Sequence, residues 1–186
     1  MNNNTFIHKY LSSLINKDDI CVDMTAGNGF DTLFLADKAK HVYAFDISEQ
    51  AIHNTKEKVK DFNNVTLIHD DHSNIDNYIN EDIKLFIFNL GYLPNGDKTI
   101  ITQKDNTLIA FKKAYDLLIN NGYIVITFYI GHKGGKDEYY LLDDYLKENK
   151  FQIIETYRQD KINSPITYII KKINQKHWCI ENTCFC

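Results

Sequence analysis

Residues 20–29 read ICVDMTAGNG, an apolar run that ends in Asp23 and enters a turn containing Gly27 and Gly29. A second apolar run, HVYAFD over residues 41–46, ends in another acid, Asp46. Glycines let backbone N–H groups approach a ligand closely, and an acid closing the next strand can accept both hydroxyls of a ribose. This spacing describes an adenosine site built on one βαβ unit. The turn lacks the full G-x-G-x-x-G pattern, because residue 32 is Thr. That departure favours S-adenosylmethionine, which has no pyrophosphate to cradle, over NAD. Gly27, Asn28 and Gly29 are expected to line the cofactor, and Asp46 to take the ribose. Asp31 either caps the next helix, the simpler role, or reaches the cofactor's ammonium. Ser48 is expected to be the N-cap of the helix after Asp46, close enough to touch the adenosine.

Three further segments carry polar chemistry. His69-Asp70-Asp71-His72 ends a third apolar run. A carboxylate here can accept from the adenine amino group, so Asp71 and His72 are assigned to the cofactor and Asp70 to the turn. Four consecutive residues do not have the spacing of one ligand shell, and no metal is expected. Asn89-Leu90-Gly91-Tyr92 closes a fourth run and resembles the Asn-Pro-Pro-Tyr box of amino-group methyltransferases without its prolines. In that box the Asn accepts from the target amine and the aromatic ring packs on the base. Tyr129-Ile130-Gly131-His132-Lys133-Gly134-Gly135 follows a fifth run. Its glycines suit a turn, and His132 is placed either to take a proton or to hold an RNA phosphate. Asn89, Tyr92 and His132 form the candidate catalytic group.

These residues need elements to hold them. Strands are expected near 20–24, 41–46, 64–69 and 84–89, then in the run from Gly122, with two more near 151–158 and 165–172. Helices are expected near 4–15, 31–39, 48–60, 74–80, 105–120 and 135–148. The first five strands are nearly continuous apolar runs, as parallel strands covered on both faces require. The last two are separated only by KINSP, too short for a crossover, and must form an antiparallel hairpin. The expectation is a Rossmann-like α/β fold of the class I methyltransferase type: a seven-stranded, mostly parallel sheet with a terminal antiparallel hairpin. The loop 89–105 is long, and long loops at the carboxyl ends of parallel strands tend to hold substrate.

The 186 residues suit one domain, here residues 1–172, with a Cys-containing tail at 173–186. No apolar run is long enough to span a bilayer, and the N-terminus reads as a cytoplasmic one. The net charge of −4 does not advertise a nucleic-acid binder, though a local basic patch would suffice for one. Lys56, Lys58 and Lys60 read as a solvated helix face. Cys21 reads as core. Cys179, Cys184 and Cys186, beside His177 and Trp178, match no strong zinc pattern.

The runs DMTAGNGFDTLFLA, HVYAFDISEQAIHNT, FNLGYLPNGDKTIIT and YIGHKGGKDE together resemble the small bacterial class I methyltransferases long labelled rRNA methylases. The resemblance covers residues 5 to 172. Ile130 stands where many relatives have Pro, and Met24 where many have Ala. The resemblance implies a tRNA methyltransferase of the wobble uridine. Such an enzyme uses S-adenosylmethionine to convert 5-aminomethyl-2-thiouridine into its 5-methylaminomethyl form, with the tRNA anticodon loop as partner. It leaves a homodimer open. The alternatives are a methyltransferase for rRNA or a small-molecule amine, or a non-catalytic protein that binds the cofactor.

Overall fold

The computed structural model describes residues 3–91, 104–131 and 134–173. The chain runs α1 (Asn3–Leu11), β1 (Ile20–Asp23), α2 (Phe30–Lys38), β2 (His41–Asp46), α3 (Glu49–Lys58) and β3 (Val65–His69). A 3₁₀ turn (His72–Asn77) leads to β4 (Ile83–Leu90), α4 (Lys104–Leu117), β5 (Leu118–Phe128), α5 (Gly135–Glu148), β6 (Ile153–Arg158) and β7 (Ile166–Lys171). The seven strands form one sheet in the order β3-β2-β1-β4-β5-β7-β6. The first five are parallel, and β7 is antiparallel to both its neighbours. The expected fold class holds.

Alternate residues of the central strands feed two cores. Val22, Phe86, Ile124 and Ile170 face one side, with Ala110, Phe111, Leu142 and Leu146 from α4 and α5. Cys21, Leu85, Val125 and Ile169 face the other, with Ile7 and Leu11 of α1 and Leu35 and Ala36 of α2. Strands buried on both faces have no polar side to present, which is why their sequences read as unbroken apolar runs. Burial also pushes the Cys21 thiol pKa up, which suits an inert core residue.

Three boundaries differ from expectation. Helix α1 ends at Leu11 rather than near 15. The segment near 74–80 is a short 3₁₀ turn, because Asp71 caps it through the Ser73 N–H at 2.8 Å and Tyr78 closes it. Helix α4 stops at Leu117 rather than 120, and Leu118 already pairs with Ile83. The chain then turns tightly, with Asn121 at φ 59°. A side chain on Gly122 would come within 2.8 Å of the Ile119 carbonyl and Leu118.

The strand order reverses at β1, which lies between β2 and β4. A crevice opens outside the carboxyl ends of the strands at such a switch point. The turn 24–29, Asp46 and Asn89 all stand at this edge.

Candidate active site

The first turn is shaped from behind by α3. Gly27 and Gly29 both have positive φ, 55° and 74°. A Cβ on Gly29 would lie 2.9 Å from the Thr55 Cα, so only glycine lets the turn lie on this helix. Thr55 Oγ1 donates to the Gly27 carbonyl, and Asn54 Nδ2 donates to Asn28 Oδ1 at 3.0 Å. The side-chain oxygen of Asn28 is thus turned to α3. Gly29→Ala should lower stability by about 1–2 kcal/mol from the left-handed backbone alone, with the clash adding to it. A shifted urea midpoint would show this, and an unchanged one would mean that the turn tolerates a side chain.

Asp46 sits beside this turn with each oxygen already aligned. Its Oδ2 accepts from the Gly27 N–H at 2.8 Å and its Oδ1 from the Ser48 N–H at 2.9 Å. Burial pushes its pKa above the usual carboxylate value, and the two N–H donors oppose that. Each oxygen keeps a lone pair for an incoming hydroxyl. Ser48 is the N-cap of α3, accepting from the Ala51 N–H at 3.3 Å, as expected.

The third-strand segment separates into distinct roles. Asp70 stabilises the turn: it accepts from the Asp71 N–H, Asn74 and Tyr78. Asp71 accepts from the Ser73 N–H and, at 2.7 Å, from Asn106 of α4. His69 meets the Ile47 carbonyl. His72 is buried, and its Nδ1 lies 3.1 Å from the Met24 carbonyl. A carbonyl only accepts, so Nδ1 carries the proton. Burial holds the ring below its usual pKa, against the pull of Asp71, and leaves Nε2 as a buried acceptor without a partner among the described residues.

Asp31 departs from its simpler expectation. Helix α2 has Gly29 at its N-cap and no side-chain cap. The Asp31 carboxylate instead bridges two distant residues: His8 Nε2 meets Oδ1 and Asn89 Nδ2 meets Oδ2, each at 2.5 Å. Asn89 is anchored again by its own N–H, which donates to Thr25 Oγ1 at 2.7 Å. Its Oδ1 is buried with no partner among the described residues. Tyr129 shares this neighbourhood: burial, then the Asp31 charge, push its phenol above the usual pKa. Tyr92 and His132 lie outside the described residues, as do most of the loop 89–105, Lys133 and the cysteines of the tail.

Asp23 lies fully buried beneath the turn. It accepts from Thr32 Oγ1 at 2.6 Å and from the Thr25 N–H. Burial, then the charge of Asp31, push its pKa up to about 7 despite these donors. An unfolded Asp titrates near about 3.9. The folded chain therefore holds an extra proton between the two values, and stability falls as pH rises through that window. Asp23→Asn should remove this slope. Urea midpoints compared across pH should diverge in favour of the variant as pH rises from about 4 to about 7. A constant difference would clear Asp23 of the effect.

The family model described as "Putative rRNA methylase" matches residues 42–172. The chain belongs to this family of class I S-adenosylmethionine-dependent methyltransferases. It is 37% identical to a methyltransferase of Streptococcus mutans solved in complex with SAH, with a TM-score of 0.84 over 93% of this chain and 99% of that one. An rRNA methylase structure from Clostridium thermocellum has a TM-score of 0.84 and 38% identity, over 93% of this chain and 98% of that one. A chloroplastic tRNA (mnm(5)s(2)U34)-methyltransferase of Arabidopsis thaliana is 37% identical over 147 residues, 70% of this chain. The chain spans about half the length of that curated relative, 54%.

The site fits the family's cofactor. Asp31 and Asp46 lie at the turn, with Asp23 buried beneath it. Such an acidic cradle is complementary to a ligand carrying a sulfonium and an ammonium. Sequence reasoning missed His8 and the bridging role of Asp31. Neither has a local signal, since the contacts cross 23 and 58 residues of chain.

Proposed function

We propose that this methyltransferase acts on the primary amine of 5-aminomethyl-2-thiouridine at the tRNA wobble position, giving the 5-methylaminomethyl form. The observation that carries the amine is Asn89. Its NH₂ is tied to Asp31, and its buried oxygen has no partner among the described residues. An amide oxygen held this way at the cofactor crevice awaits an N–H donor, because an unpaired buried acceptor is costly. The tRNA wobble assignment is supported by the relative named a tRNA (mnm(5)s(2)U34)-methyltransferase.

When bound, the cofactor supplies an already activated sulfonium methyl. We assign Asp46 to the two ribose hydroxyls, Gly27, Asn28 and Gly29 to the walls of the cofactor cleft, and Ser48 to the adenosine side. Asp71 and His72 flank the adenine; Nε2 of His72 can accept from its amino group. Asp31 contributes negative charge beside the methionine end. Asn89 accepts from the target amine and turns its lone pair toward the methyl. An aliphatic ammonium titrates near Lys, about 10.4, and must lose a proton first. A partly dry pocket favours the neutral form. Tyr92 is assigned to stacking on the base and His132 to a backbone phosphate. A wobble base lies in a single-stranded loop, so it can be splayed into the pocket without opening a duplex.

Purified protein with labelled S-adenosylmethionine should methylate tRNA that carries the aminomethyl group and leave unmodified transcripts unlabelled, because these lack the nucleophile. Equal labelling of both, or labelling of rRNA alone, would refute the assignment and favour the activity in the family's description.

A further inference from the structure

We propose that His8 is a positioning residue for methyl transfer, acting through Asp31 to fix which end of the Asn89 amide faces the substrate. The inference rests on the reading of Asn89 as the amine's acceptor. A carboxamide has two ends of nearly equal shape, one that donates and one that accepts. Only the accepting end can receive an N–H from a neutral amine while leaving the amine's lone pair free for the methyl. Something must hold the amide the right way round.

Asp31 does so by being acceptor-only when ionised. Its Oδ2 selects the NH₂ of Asn89, and the amide oxygen must then point the other way, where it is buried and unpaired among the described residues. A protonated Asp31 could donate to the amide oxygen and permit the reverse orientation. His8 bears on that choice. Its Nε2 faces Oδ1, the oxygen that Asn89 does not use. Each Asp31 oxygen thus has its own partner, and the His8 contact fixes the rotation of the carboxylate that presents Oδ2 to Asn89. Asp23 lies close enough for the two charges to interact. It gives its own oxygens to Thr32 and Thr25, so the two Asp31 oxygens are left to His8 and Asn89.

The His8 ring is itself held. Phe34 of α2 stacks on it with centroids 4.1 Å apart and planes 5° from parallel. Its side chain is 25% exposed, against 8% for Asp31. Helix α1 is pinned to the sheet by buried Ile7 and Leu11. Asn3, at its start, bonds both Thr127 of β5 and Thr167 of β7. The first helix of the chain thereby reaches the reacting end of β4 through one carboxylate.

His8→Ala should lower kcat on aminomethyl tRNA roughly ten- to a hundredfold, the scale of a misplaced reacting group, with KM for tRNA and affinity for cofactor essentially unchanged. His8→Gln, whose amide nitrogen can reach the same oxygen, should restore most of the rate. A second readout needs no turnover. In the free protein the Asn89 side-chain NH₂ signals, assigned by their loss in Asn89→Ala, should be protected from exchange in wild type and His8→Gln but not in His8→Ala. An unmoved Asn89 signal, or a wild-type kcat in His8→Ala, would overturn the proposal. So would a rate loss that follows the melting temperature and is not rescued by Gln, since that describes a mere strap. If the wild-type protein methylates no tRNA, the substrate reading falls, and the amide signal still decides the coupling.

Discussion

Asp46→Ala should weaken S-adenosylmethionine binding by about two to four orders of magnitude. Two hydroxyls would lose a charged acceptor, each worth about 1.5–3 kcal/mol. The structure adds a second cost. The Gly27 and Ser48 N–H groups would lose the carboxylate that aligns them, so the turn that walls the cleft would loosen as well. Asp46→Asn keeps one acceptor oxygen and should fall between wild type and Ala. Titration calorimetry on folded variants gives the comparison. An affinity equal to wild type in Asp46→Ala would place the ribose elsewhere.

Asn89→Ala should separate chemistry from binding. With Asn89 as the proposed acceptor for the amine, the variant should lower kcat by roughly 10²–10³, the range seen when one positioned polar group at a reacting centre is removed. Cofactor affinity should change far less, since the Asn89 backbone N–H still bonds Thr25. Asn89→Asp sharpens the test. It sets a second carboxylate against Asp31 where the amide NH₂ had donated, so the contact that orients residue 89 is lost. That variant should be as slow as Ala at neutral pH although it retains an oxygen. Single-turnover rates with aminomethyl tRNA would report both. A folded Asn89→Ala enzyme with normal turnover would remove Asn89 from the mechanism.

What the sequence made legible follows from what is local. Parallel strands buried on both faces must be apolar throughout, and so β1, β2, β4 and β5 were visible as runs. Ser48 could be read as a cap because capping is settled within three residues. The short KINSP connection forced a hairpin, and β6 and β7 do pair antiparallel. Asp31 was misread for the complementary reason. Beside a glycine turn, an acid looks like a helix cap. Its partners lie in α1 and β4, and nothing within a few residues announces them. The end of α4 was missed because Asn121 and Gly122 mark the turn itself, while the strand pairing begins earlier, at Leu118.

The position of β7 carries a consequence for biogenesis. It is the last strand among the described residues, yet it lies inside the sheet, between β5 and β6. Six consecutive residues of β5, Tyr123 to Phe128, pair with it. Until residue 171 is available, β5 is an open edge of almost wholly buried apolar residues. Such an edge is a template for pairing with another chain. A nascent or truncated chain ending before Ile166 should thus be prone to aggregate, even though every residue of the turn 24–29 has already been made. Completing the sheet means docking the β6–β7 hairpin onto the edge that β5 has left open until then.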